Sequence, residues 1–160
     1  MCVLCRESGE DIGWTVKKSY FERISFLFER GGISIVKGPS TSQEAAVEIV
    51  KFLLSKKAVN PVILDVREIS NLCEYFIICS GETNKHVGAL YEGIVEFSQK
   101  NNLNVYHEEK DSSLNWIVID YFDIVLHIFS EEARKFYDLE RLWREAKKVE
   151  VDWELKRGLV

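Results

Sequence analysis

Three carboxylates near predicted strand ends are the side chains in this sequence best suited to chemistry. Asp65 ends one apolar run, Asp120 ends another, and Asp123 follows shortly after. Such oxygen ligands could hold Mg²⁺ for phosphoryl or nucleotidyl transfer if they converged within about 4–5 Å. A nucleotidyltransferase would pair a Gly-Ser turn with a downstream Asp-x-Asp, and the chain has neither in order. We therefore favour aspartates that accept backbone N–H bonds in turns, and keep a nucleotide-handling enzyme as the alternative.

Histidines and cysteines add no catalytic constellation. His127 interrupts the apolar face of a predicted strand, where we expect it to hydrogen-bond a tyrosine or a carboxylate. Cys79 lies among apolar residues, which raises a thiol pKa and makes the thiol inert. Cys2 and Cys5 form a lone CxxC without the second pair that a structural zinc site needs, so zinc or redox chemistry is the weakest alternative. The sequence predicts a binding module with no catalytic residue, no metal and no cofactor.

Hydrophobic periodicity predicts an α+β fold, with a mixed five-stranded sheet and helices packed on it. Ser42 and Ser130 are the predicted N-caps of the first and last helices, and Thr83 or Asn84 caps the middle one. A tight reversal at 120–123 joins the last two strands. In order, the predicted elements are a helix to Lys57, strands at 61–66 and 74–80, a helix to Lys100, a strand at 103–109, two strands within 116–129, and a helix to about Lys148.

The last predicted helix carries more non-polar surface than one packed face requires. Projected as one continuous helix, its non-polar arc is wider than the ~100° stripe of a helix packed on one side. The helix could lie deep in a groove, with Glu140 paired to Arg144. Alternatively, one edge packs on the sheet while Tyr137, Glu140 and Trp143 stay partly accessible, as in a protein-binding patch. Spacing leaves both interpretations open.

The charge distribution limits the partners that this chain attracts. The 160 residues carry a net charge of −5, and residues 41–160 hold fifteen Lys/Arg against twenty-one Asp/Glu. Phosphate backbones repel such a body and basic proteins attract it, so we expect no direct nucleic-acid binding. We expect no membrane span, because no apolar run reaches about 18 residues. The first residues lack the features of a secretory signal, which favours a cytoplasmic location.

The chain resembles the ribosomal silencing factor family, RsfS or Iojap-like, in two stretches, LDVREISNLCEYFIICSGETNKHV and WIVIDYFDIVLHIFSEEARKFYDLERLW. The resemblance covers about residues 42–145. It divides the chain into an N-terminal extension at 1–40, an RsfS-like domain at 41–149 and a C-terminal tail at 150–160. It implies a nucleotidyltransferase-like topology without enzymatic activity.

The same resemblance implies a partner and a mechanism. Family members bind the large ribosomal subunit through its protein numbered fourteen and sterically block joining of the small subunit, which represses translation. They also form homodimers off the ribosome. Carried over position by position, the partner-binding residues would be Trp116, Asp120, Tyr121, Phe122, Asp123, Tyr137, Leu139, Glu140 and Trp143.

One position in the 120–123 reversal departs from the family pattern. The reversal is usually D-x-G-D, whereas this chain has Phe122 where the glycine stands. Phenylalanine does not adopt φ > 0 as cheaply as glycine, so the turn geometry is open at this point. Phe122 could instead supply an additional apolar contact for the partner.

Overall fold

Four helices and six strands make up residues 41–151, the part of the chain that the computed structural model describes. The helices are α1 (Ser42–Ser55), α2 (Asn84–Lys100), α3 (Glu131–Tyr137) and α4 (Leu139–Leu142). The strands are β1 (Val59–Asp65), β2 (Tyr75–Gly81), β3 (His107–Lys110), β4 (Trp116–Asp120), β5 (Ile124–Ser130) and β6 (Lys147–Lys148). The predicted α+β class is confirmed.

The six strands form one mixed sheet in the order β3-β4-β5-β2-β1-β6. The central strands β2 and β5 run parallel, and the other neighbours are antiparallel. Both central strands are buried along their whole length, as expected for strands covered on both faces. The predicted count of five strands is wrong, because Lys147–Lys148, assigned to the last helix from sequence, pairs with β1 as a short edge strand. The nucleotidyltransferase-like topology stays a prediction.

Side chains of the sheet alternate between two apolar layers on its opposite faces. The first face is covered by α1 and α2, whose Ile49 and Ile94 pack with Ile128 of β5. The second face, which contains Phe76 and Phe129, is covered by α3, α4 and the residues after them. Phe76 of β2 and Phe129 of β5 therefore point toward the C-terminal helices.

Side-chain caps fix the starts of α1, α2 and α3. The hydroxyl of Thr41 accepts the N–H of Glu44 at 3.1 Å, so Thr41 rather than the predicted Ser42 caps α1. Thr83 and Ser130 cap the next two helices, as predicted, with N–O distances of 3.2 Å in both cases. These hydroxyls satisfy N–H groups of the first turn that have no partner within the helix.

The predicted last helix breaks at Asp138, which adopts left-handed dihedrals of φ 43° and ψ 54°. Beyond the break, α4 is only four residues long. Glu140 turns back to Arg134, and one carboxylate oxygen accepts hydrogen bonds of 2.6 and 3.0 Å from the guanidinium. On a continuous helix only residues three or four apart are neighbours, so a pair six apart requires the break. The predicted continuous helix and the predicted Glu140–Arg144 pair are wrong.

Arg134 fastens α3 to the sheet. Its guanidinium also donates to the carbonyl oxygen of Val59 and to the hydroxyl of Ser80, both at 3.3 Å. The side chain is only 14% exposed, and that of Glu140 is 26% exposed. This part-buried network therefore holds the C-terminal helices in place relative to β1 and β2.

Replacing Arg134 by methionine is expected to lower the free energy of unfolding by about 2 kcal/mol, because Glu140 loses its partner and two acceptors lose a donor. Arg141 is the matched control, since it pairs with Asp138 at 3.0 Å but is 82% exposed. We expect Arg141→Met to change the stability by less than about 0.5 kcal/mol. Urea denaturation measures both values, and equal losses for the two arginines would contradict this account of the network.

Candidate partner-binding surface

The three aspartates that could have formed a metal site do not converge. Asp65 pairs in register with Tyr75, whose ring lies on the first face, whereas Asp120 pairs with Val125 on the second face. Residues directly opposite in an antiparallel ladder share a face, so the sheet separates these two carboxylates. Among the described residues, no group of three or more His, Cys, Asp or Glu could hold a metal ion. The alternative of a shared magnesium site at Asp65, Asp120 and Asp123 is therefore wrong.

Asp65 and Asp120 instead stabilise local turns, as the favoured interpretation predicts. Asp65 accepts the backbone N–H of Arg67 at 3.2 Å and its guanidinium at 2.6 Å. The guanidinium hydrogen bonds hold the pKa of the Asp65 carboxyl below its ordinary value. Asp120 accepts the backbone N–H of Phe122 at 2.7 Å. Both carboxylates therefore accept backbone N–H groups within their own turns and are not positioned for group transfer.

The two cysteines in the described part of the chain are buried thiols. Cys79 lies within β2 and has no exposed surface, and burial raises the pKa of its thiol to about 12. Cys73 is 8% exposed, and burial likewise raises its thiol pKa to about 12. The prediction that Cys79 is inert agrees with this environment. Cys2 and Cys5 lie outside the described residues.

An aromatic surface extends over the second face of the sheet, and we define it as Trp116, Phe136, Tyr137 and Trp143. The rings of Trp116 and Tyr137 are 4.7 Å apart, and those of Tyr137 and Phe136 are 5.1 Å apart. Phe136 is 82% exposed and Tyr137 49% exposed, whereas the two tryptophans are half-buried. Of the two interpretations of the last helix, the structure thus favours the one with accessible aromatic residues.

Buried rings connect the two ends of the aromatic surface. Trp143 packs on Phe76 with a centroid distance of 5.0 Å, and Phe76 lies 5.5 Å from His127. His127 in turn lies 5.9 Å from Trp116, which also stacks on Phe129 at 5.0 Å. Such aromatic pairs contribute about 0.5–1.5 kcal/mol each beyond their buried area. A layer of packed, buried aromatic rings therefore supports the aromatic surface.

His127 is the one buried titratable group in direct contact with this surface that the structure describes. Its Nδ1 accepts the indole N–H of Trp116 at 3.3 Å, so the predicted tyrosine or carboxylate partner is wrong. The histidine is 8% exposed, and burial lowers its pKa to about 4. At neutral pH the ring is uncharged, and its Nδ1 must be the unprotonated acceptor because an indole can only donate.

The turn at 120–123 divides its residues between the two faces. Tyr121 packs toward the first face, where its hydroxyl lies 2.9 Å from that of Ser98 on α2 and burial raises its pKa to about 12. Phe122 adopts φ 79° and meets the ring of Tyr106 edge-on at 6.2 Å. Tyr121 therefore supports the turn from the first face of the sheet, while Phe122 remains half-exposed.

Not every residue carried over from the resemblance is displayed to a partner. Leu139 is partly buried in the apolar layer of the second face, and Glu140 is engaged with Arg134. Conversely, two strongly exposed side chains were not among the predicted site residues, Phe136 at 82% and Leu142 at 70%. The two residues flank the helix break at Asp138, which no periodicity projected across the whole segment could reveal.

Taken together, the described residues form an α+β domain with a mixed sheet, aspartates engaged in turns and an exposed aromatic surface. Within residues 41–151, no helix is both long and apolar enough to cross a bilayer. The family described as ribosomal silencing factor during starvation matches residues 39–158.

Two curated relatives and one solved structure show the same likeness. The chain is 31% identical over 112 residues to ribosomal silencing factor RsfS of Halalkalibacterium halodurans, covering 70% of this chain and 96% of that protein. It is 33% identical over 98 residues to RsfS of Bacillus subtilis, covering 61% and 83%. A crystal structure of a protein from Bacillus halodurans matches with a TM-score of 0.61 at 31% identity, covering 69% of this chain and all of that one. The chain belongs to the ribosomal silencing factor family, whose members are ribosome-associated regulators of translation rather than enzymes.

Proposed function

We propose that this protein binds the large ribosomal subunit through its protein numbered fourteen and, in the cytoplasm, prevents the small subunit from joining. The observation that carries the proposal is the aromatic surface, with Phe136 82% and Tyr137 49% exposed. Family membership supplies the ribosome as the setting, and the resemblance supplies the particular subunit protein. Silencing of this kind requires only steric exclusion of the small subunit, and it needs no catalytic residue.

The energetics of such a contact fit the composition of the surface. Tyr and Trp dominate binding free energy at protein interfaces, where single truncations of hot-spot residues cost about 2 kcal/mol or more. Here Trp116 and Tyr137 contact each other and rest on buried Phe129, so little side-chain freedom is left to lose on binding. Preorganisation of this kind lowers the entropic cost of association.

Electrostatics favour a basic partner. Residues 41–160 hold six more acidic than basic side chains, and two of the acidic ones, Asp120 and Asp123, lie at the turn between β4 and β5. An acidic body approaches a basic ribosomal protein faster than a neutral one does, and it is repelled by exposed ribosomal RNA. We therefore propose a protein contact without direct nucleic-acid binding. Off the ribosome, the same exposed rings would be the contact of a homodimer.

Sedimentation with isolated subunits tests the proposed partner. We expect the full-length protein to co-sediment with large subunits and not with small subunits, because only the large subunit carries the complementary protein surface. Large subunits depleted of the protein numbered fourteen are the control, and they should lose the bound material. Co-sedimentation that is equal with either subunit, or that survives the depletion, would contradict the proposal.

A further inference from the structure

The buried contact between His127 and Trp116 carries an inference that rests on the proposed function and deepens it. We infer that His127 is a positioning residue that holds the indole of Trp116 in its binding orientation. The contact consists of one hydrogen bond of 3.3 Å, from the indole N–H to Nδ1 of the histidine, and a ring-centroid distance of 5.9 Å.

Packing alone does not fix the orientation of this indole. Torsions between an sp³ and an sp² atom, such as χ2 of tryptophan, have broad, roughly two-fold preferences. Two orientations of the Trp116 ring could therefore lie flat against Phe129, on which the ring stacks at 5.0 Å with an interplanar angle of 23°. In one orientation the N–H points into the fold toward His127, and in the other it points outward. The hydrogen bond selects the inward orientation and leaves the carbon edge of the indole toward the surface.

His127 is suited to this role because it is itself immobile and uncharged. It lies in the middle of β5, pairs with Ile78 on one side and Val118 on the other, and is only 8% exposed. Its ring also contacts Phe76 at 5.5 Å and Phe129 at 6.1 Å. An acceptor fixed by two neighbouring strands and two rings can impose one geometry on a half-buried side chain of the adjacent strand β4.

An apolar residue at position 127 would not hold the Trp116 indole in this orientation. A leucine would preserve the apolar layer but remove the acceptor of the Trp116 indole N–H. Rotation of the indole so that its N–H faces water would then lower the free energy, since a buried donor without an acceptor is costly. The partner would meet a polar edge where it otherwise meets an apolar one.

A double-mutant cycle on binding to isolated large subunits tests this role. We expect His127→Leu to weaken binding about tenfold, the scale of coupling between residues in contact. His127→Asn places an amide oxygen close to the position of Nδ1, so it should stay within about threefold of the wild type. In a Trp116→Phe background, which has no indole N–H, His127→Leu should change the affinity by less than about twofold.

The indole N–H resonance of Trp116 in a ¹H–¹⁵N spectrum provides a readout that a merely structural role would not move. It is assigned by its loss in Trp116→Phe, and we expect it to shift in His127→Leu and to stay in place in His127→Asn. Wild-type affinity for His127→Leu, or an equal loss in the Trp116→Phe background, would overturn the inference. If the wild-type protein fails to bind large subunits, the proposed function fails, and an unshifted resonance in His127→Leu would then separately reject the positioning role.

Discussion

Alanine at both Trp116 and Tyr137 is expected to weaken binding to the large ribosomal subunit by about 3 kcal/mol, a loss of more than a hundredfold in affinity. Each single truncation is expected to cost about 2 kcal/mol. The two rings are 4.7 Å apart and share contacts, so the losses should not add fully. Titration of labelled protein against isolated large subunits measures the three affinities.

Tyr91→Ala is the matched control for that titration. Tyr91 is also a half-buried tyrosine, but it lies on α2 over the first face, where its hydroxyl donates to Glu108 at 2.8 Å. We expect its removal to leave the affinity unchanged within about twofold, since it is remote from the aromatic surface. Circular dichroism must show that all variants are folded at the assay temperature. Equal affinities for the wild type and the Trp116/Tyr137 double variant would reject the assignment of the surface.

Acidification from pH 7 to pH 4 is expected to remove about 3 kcal/mol of stability through His127 alone. The unfolded histidine titrates at its ordinary pKa of 6.5, whereas burial lowers the folded pKa to about 4. Between these values the unfolded chain binds more protons, so stability is fully present above about pH 6.5 and falls as the pH drops toward 4. Each unit of difference in pKa corresponds to about 1.4 kcal/mol.

Urea denaturation at pH 7, 5.5 and 4.5 measures this effect, with His127→Asn as the matched variant. The variant starts from a lower stability but should lose much less on acidification, because it has no titrating group at this position. Asp65 does not mask the result, since its lowered pKa places its contribution below about pH 4. Parallel pH profiles for the wild type and His127→Asn would show that the histidine is not responsible.

The parts of the fold that follow from local chemistry were predictable from sequence. Hydroxyl caps at Thr83 and Ser130 mark helix starts wherever the chain continues into an apolar face, and both are where the sequence placed them. The reversal at 120–123 follows from two strands that must pair with a short connection. The inert character of Cys79 follows from its apolar neighbours on β2.

The C-terminal helices were not predictable in the same way, because a tertiary contact overrides a local pattern. The periodicity around Asp138 suits one continuous helix, yet a buried pair between Arg134 and Glu140 and the pairing of β6 with β1 are reached only if the helix breaks. Phe136 precedes that break and Leu142 follows it, and both side chains are exposed. Beyond Tyr137, Leu139 packs in the apolar layer and Glu140 pairs with Arg134, while Trp143 stays half-buried on the aromatic surface.

Contacts outside the turn also fix the backbone conformation of Phe122. The turn retains the positive φ that a glycine would adopt easily, although a left-handed non-glycine residue costs about 1–2 kcal/mol. The pairing of β4 with β5 and the hydrogen bond from the Phe122 N–H to Asp120 fix the geometry from both sides. Phe122 thus occupies a left-handed turn position that these contacts hold in place.

The most direct test of steric silencing is to monitor the joining of purified ribosomal subunits by light scattering. With large subunits saturated by the full-length protein, addition of small subunits should give little of the rise in scattering that marks joined ribosomes, whereas the Trp116/Tyr137 double variant should leave that rise intact. A full rise in the presence of saturating wild-type protein would show that it binds without excluding the small subunit, and steric silencing would have to be abandoned.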